Sequence, residues 1–75
     1  ASDVYKRQIQ KQWEKAVKVY EQATKAYESC GDYLMQCETL RLSAWVKEQN
    51  NQKSDAIDDY IKAFYLVNKI AIYFY

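Results

Sequence analysis

The densest group of potentially reactive side chains is Asp55, Asp58 and Asp59. Neighbouring carboxylates can divide acid and base work between them when their surroundings set their pKa values apart. These three stand where a helix is expected to begin, and there capping and the macrodipole account for negative charge without any reaction. Nothing else completes a catalytic set. The chain has no histidine, no glycine-rich phosphate loop and no nucleophile with a plausible base beside it. Cys30 and Cys37 remain. Two thiolates without a further cysteine or histidine cannot close a tetrahedral zinc site, and a disulfide across the turn between them needs Cα atoms within about 7 Å. The expectation is that both are small buried hydrophobes, as free cysteines commonly are. The chain is therefore expected to be no enzyme, with neither metal nor cofactor.

Eight tyrosines and two tryptophans raise the question of base stacking, but a stacking platform needs a basic groove. Eleven basic and ten acidic residues, interleaved over 75 positions, give a net charge of +1. That balance supplies no field for nucleic acid or an anionic membrane, so neither is an expected partner and the aromatics are assigned to packing. No run approaches the roughly 18 apolar residues of a membrane span, and the apolar stretch Ile70, Ala71, Ile72, Tyr73, Phe74, Tyr75 is too short. No membrane insertion is expected. Without the basic and apolar segments of a signal peptide at its start, the default location is cytoplasmic.

One glycine and no proline leave little to punctuate strands, so the fold class expected is all-α. In a first helix, about 9–30, Trp13, Ala16, Val17, Tyr20, Ala23, Tyr27 and Cys30 recur at the three-and-four spacing of one face. Glu14 with Lys18 and Glu21 with Lys25 are placed for i,i+4 support. Gly31 suits a left-handed helix terminator and Asp32 the N-cap of the next helix. That second helix, about 33–50, carries two apolar rows: Tyr33, Cys37, Leu40, Ala44 and Met35, Leu42, Val46. It should therefore be packed on two sides. After a polar turn, Ser54 is positioned to cap a third helix over 54–70 or beyond. Ala56, Ile57, Tyr60, Ala63, Phe64, Val67 and Ile70 form its apolar face.

Ala16, Val17, Tyr20, Ala23 recurs as Ala56, Ile57, Tyr60, Ala63, forty residues later. Small residues let a neighbouring helix approach, and the tyrosine fills the space between them. The pattern resembles the second helix of a tetratricopeptide repeat, in the forty-residue variety. On that alignment Ala44 falls at the small position of a first helix, Asn51 in the turn between helices, and Tyr27, Glu28, Gly31 and Asp32 at the junction between repeats. The period is longer than thirty-four, the closing proline is missing, and Leu40 stands where a tryptophan is expected. HEAT repeats share the longer period, but their first-helix proline is absent. The run Glu14, Lys15, Ala16, Tyr20, Glu21, Gln22 is also similar to the helical pairs of the soluble NSF-attachment (SNAP) adaptors of vesicle fusion.

The resemblance implies an antiparallel three-helix fragment of an α-solenoid, in the order second helix, first helix, second helix. Ala16, Tyr20, Ala23, Ala44, Ala56, Tyr60 and Ala63 would define the repeat core. It also implies a non-catalytic scaffold that binds a protein or peptide in a groove extended by further repeats. First helices line such a groove, and on the middle helix the face away from the core carries Glu38, Arg41, Trp45, Glu48 and Gln49. A tryptophan beside an arginine is the composition of binding hot spots. The alternative from another class is a regulatory or sensor segment of a larger signalling enzyme. Finally, Ser2, Asp3, Val4, Tyr5, Lys6, Arg7 and Gln8 resemble the in-frame translation of a transposon end used in sequencing libraries. Residues 1–8 are read on that ground as an artefactual leader, and the fold is expected to begin at residue 9.

Overall fold

Two turns of one design set the course of the chain. A computed structural model describes residues 2–74, with side chains as far as Ile72. It contains the helices α1 (Ser2–Ser29), α2 (Tyr33–Gln49) and α3 (Lys53–Phe74), and no strand among the described residues. After α1, Gly31 takes a left-handed φ of 73°. Asp32 N then bonds Tyr27 O at 2.9 Å and Gly31 N bonds Glu28 O at 3.1 Å, the paired bonds of a Schellman terminator. After α2 the same two bonds recur, from Gln52 N to Lys47 O (2.8 Å) and from Asn51 N to Glu48 O (3.2 Å). Here the left-handed residue is Asn51, φ 61°, the side chain that tolerates this region best after glycine. Asp32 caps α2 as its type suggests, its Oδ1 accepting from Met35 N at 3.1 Å.

The helix limits differ from expectation at two places. Residues 2–8 continue α1 without a break, every one of them exposed, because nothing in that segment interrupts a helix. α3 begins at Lys53, so Ser54 lies inside the first turn and is not its cap. The backbone bonds of the Asn51 turn have already closed one residue earlier, and Ala56 N donates to Gln52 O at 2.9 Å. The side chains of Tyr73 and Phe74, and all of Tyr75, lie outside the described residues.

Cross-helix pairs run in opposite numerical directions. Trp13 meets Trp45 and Thr24 meets Thr39 across α1 and α2, while Ser43 meets Asp59 and Cys37 meets Ala63 across α2 and α3. Both pairs of helices are therefore antiparallel. α1 and α3 pack on α2 but not on each other, and the whole measures 55 × 21 × 12 Å. With each outer helix on α2 and neither on the other, the fold is a single layer whose core consists of two seams. The buried apolar residues are accordingly small: Cys37, Ala44, Val46, Ala56 and Ala63. Of the expected repeat core, Ala44, Ala56 and Ala63 are buried, Ala16, Tyr20 and Ala23 are half-buried, and Tyr60 is on the exposed side.

The two apolar rows of α2 split between its neighbours. Cys37 donates its thiol toward Ala63 O at 3.5 Å, placing its row against α3. Met35, Leu42 and Val46 share the side of Thr39, whose hydroxyl lies 2.7 Å from that of Thr24 in α1. Either hydroxyl can donate, since each also has a carbonyl of its own helix in reach, Tyr20 O and Met35 O. Both cysteines are free thiols, but only Cys37 is a buried hydrophobe; Cys30 is exposed at the end of α1, because the chain there turns away from the seam. Burial, and after it the charge of Glu38, pushes the Cys37 thiol up. A thiol reagent at neutral pH should label one cysteine per chain rapidly, Cys30, and should reach Cys37 only as denaturant opens the α2–α3 seam; equal rates in the native state would contradict the packing.

The turn geometry generates a second test. A Cβ on Gly31 meets nothing within 4 Å, so Gly31→Ala should cost only the left-handed backbone penalty, about 1–2 kcal/mol. Asn51→Gly should instead be neutral or stabilising by a few tenths of a kcal/mol. Midpoints of urea unfolding at constant slope would separate the two.

Candidate functional site

Both helical seams bear on α2, and the side chains that face away from them fall into two groups on opposite sides of that helix. Glu38, Arg41, Trp45, Glu48 and Gln49 are all exposed and share one side. Arg41 forms an ion pair with Glu38 one turn earlier, with a second contact from Nε to Oε2 at 3.5 Å. The hydrogen bond from Arg41 holds the Glu38 carboxyl below its ordinary value against the opposing effect of burial, and the same contact raises Arg41. Trp45 is 49% exposed and stands edge-on to Trp13 of α1, with ring centroids 6.1 Å apart and planes at 75°, a favoured aromatic geometry. On the other flank Tyr60 of α3 donates its hydroxyl to Glu48 Oε2 at 3.2 Å. Burial and then the Glu48 charge push the Tyr60 phenol up, so it stays a donor.

The face is thus a composite of three helices. Their place on apolar stripes predicts Trp13 and Tyr60 in the core, but the structure puts them at the edges of this surface. The available signal was register. Antiparallel pairing across a three-residue turn sets the middle of α1 opposite the end of α2.

The other side of α2 forms the floor of a cleft of about 580 Å³. Gln36, Leu40, Ser43 and Lys47 line it from below, Glu21, Thr24, Lys25 and Glu28 from α1, and Asp59, Ile61, Lys62, Tyr65 and Leu66 from α3. Its organising contact is Lys47, whose Nζ lies 2.8 Å from Asp59 Oδ2 and 3.4 Å from Glu21 Oε1. Ser43 Oγ donates to the same Asp59 oxygen at 3.2 Å. Asp59 is therefore not a macrodipole charge like Asp55 and Asp58, which are exposed; it is buried. Glu21 likewise turns to Lys47 across the seam. An ion held among few waters attracts it more strongly than a solvated neighbour on its own helix does. Gln36 is buried too, and its Oε1 has no hydrogen-bond partner.

A serine, a lysine and an aspartate in contact invite comparison with nucleophilic sites, but the electrostatics run the other way. Burial on its own would lower Lys47; the hydrogen bond and charge of Asp59, then of Glu21, outweigh it and raise the lysine. An activated serine needs a neighbouring base able to take its proton, whereas this lysine is held charged and Ser43 is 1% exposed. The cluster works as a clasp. Among the described residues no three histidine, cysteine, aspartate or glutamate side chains converge to hold a metal ion, and no helix is long and apolar enough to cross a membrane.

Removing one partner of the clasp strands a largely buried charge. Asp59→Ala should lower unfolding stability by about 2–4 kcal/mol, while Lys47→Met combined with Asp59→Leu should recover most of that loss. Because the folded lysine has a raised pKa, its contribution is complete below the ordinary lysine value of about 10.4 and disappears as pH rises through the higher folded value. Urea midpoints should therefore fall above about pH 10.5 in the parent chain, and less steeply in the double variant. No family model matches this sequence, and no curated protein or solved structure matches it.

Proposed function

We propose that this chain is a non-catalytic, protein-binding portion of an α-solenoid of the tetratricopeptide type, and that it takes a peptide or helix across Glu38, Arg41, Trp45, Glu48 and Gln49. The observation that carries the reading is Trp45. A large aromatic stands half-exposed between an arginine and two carboxylates, with its ring oriented by Trp13. Rigid aromatic and arginine side chains bring contact area at low entropic cost, which is why a few of them dominate binding energies. The arrangement of the helices supports the same reading. Two equivalent turns and an open single layer, with α1 and α3 apart, suit a unit that stacks by translation better than one that closes on itself. The forty-residue recurrence of small and aromatic residues adds to it.

A random peptide library displayed on phage and selected against the immobilised chain provides the test. Enriched peptides should lose at least about tenfold in affinity for Trp45→Ala and severalfold for Arg41→Ala, with helicity by circular dichroism unchanged in the arginine variant. Peptides that bound both variants as tightly as the parent, or a selection that enriched none, would remove this face from consideration.

A further inference from the structure

The cleft on the side of α2 away from Trp45 holds more than the Lys47 clasp. At about 580 Å³ it has the size of a small-molecule site. It opens on the face of the layer, so helices added beyond α1 or α3 would leave it open.

Its floor carries one unmet demand. Gln36 is 6% exposed, and its Oε1, closed off from water, has no hydrogen-bond partner. Native folds rarely keep such an atom, because burial forfeits its bond to water and nothing replaces it. The two aliphatic hydroxyls of the cleft are spent within the chain. Thr24 is bonded to Thr39 and Tyr20 O, and Ser43 donates to Asp59. A single water would need two or more polar partners beside Gln36, and the next turn of the floor is Leu40. The last torsion of a glutamine is soft, so the amide can turn its oxygen to a donor seated in the cleft without moving the helix.

The remaining lining decides what kind of molecule brings that donor. Lys47 and Asp59 answer each other at 2.8 Å, while Lys25, Glu28 and Lys62 stand exposed on the rims. With Glu21 the lining holds three positive and three negative side chains. A charged ligand would shed water and meet no unpaired counter-charge on the floor. The half-buried Leu40 and Leu66, and the exposed Ile61 and Tyr65, supply apolar surface instead.

We propose that the cleft binds an uncharged, largely apolar molecule with one N–H or O–H donor, of the indole or phenol class. The donor bonds Gln36 Oε1, and the ring lies against Leu40 and Leu66. The same group reaches the cleft either as a free aromatic compound or as the tryptophan side chain of a peptide. The site is independent of the α2 face around Trp45.

Nitrogen–proton correlation spectra of the full chain, titrated with indole, test the proposal. Indole should shift the Gln36 side-chain amide saturably, with a dissociation constant of about 1 mM or less. 1-Methylindole keeps the ring but loses the donor, and should bind at least about tenfold more weakly. Gln36→Met removes the acceptor at similar length. It should bring the two affinities within about twofold and raise the urea midpoint, because a stranded acceptor has gone. Trp45→Ala should change neither affinity, which separates this site from the peptide-binding face. N-acetyltryptophanamide binding more tightly than indole would identify a peptide as the source, and weaker binding a free compound; both uphold the site. No shift at about 5 mM indole overturns the proposal. So do equal affinities for indole and 1-methylindole in the parent chain, or a preference that survives Gln36→Met. A fall in the urea midpoint of that variant overturns it too, since it would reveal a partner for Gln36 within the fold.

Discussion

Lys47 bridges the three helices, and the rest of the arrangement depends on where its charge is satisfied. A single layer of helices has no interior in which large apolar side chains can be surrounded; its two seams bury small residues and leave most of the aromatics at the surface. Small residues allow close approach but discriminate poorly between one register and the next. The Lys47 ammonium does discriminate, because it meets Asp59 of α3 at 2.8 Å and Glu21 of α1 at 3.4 Å together. Sliding either neighbour by one turn, about 5.4 Å, would separate the charges and strand the Asp59 carboxylate in the seam. Apolar substitutes for a buried pair often match its stability, so what the clasp supplies here is alignment.

That alignment has consequences on the far side of α2. The register that brings Lys47 to Glu21 also carries Trp13 to Trp45, and the register that brings Lys47 to Asp59 carries Tyr60 to Glu48. A polar cluster on one side of the middle helix thereby sets the composite aromatic and charged surface on the other. The two Schellman turns work in the same direction, since each returns the chain in three residues and leaves no slack for a different pairing.

The recurrence at forty residues hides an asymmetry. α1 half-buries the side of the pattern that faces forward along the chain, through Val17, Tyr20 and Thr24, whereas α3 buries the side that faces back, through Ala56, Asp59 and Ala63, with Leu66 half-buried. One motif thus offers two packing faces, and each outer helix uses one of them against α2. The unused face of α1 is mainly polar or small apart from Val4 and Val19, whereas that of α3 holds Ile57, Ile61, Phe64 and Ile72 with Asn68 among them. The two edges of the layer are chemically different surfaces.

Much of this was legible in the sequence. The absence of proline, the spacing of apolar residues and the single glycine dictate three helices, because helix periodicity and left-handed termination are local properties of a few adjacent side chains. Gly31, Asp32 and the two-sided packing of α2 follow from the same local physics, and so does the exposure of Glu38, Arg41, Trp45, Glu48 and Gln49 on one side of it. What the tertiary structure alone decided is which polar groups would be buried and which apolar ones left out. Asp59 looks like its neighbours Asp55 and Asp58, and Phe64 looks like any core aromatic; only the placement of α3 against α2 buries the first and exposes the second. The reason is that burial belongs to pairs of helices. Local pattern says which side chains share a face, but the choice between two faces rests on a charge such as Lys47, which finds its counter-ions in only one alignment.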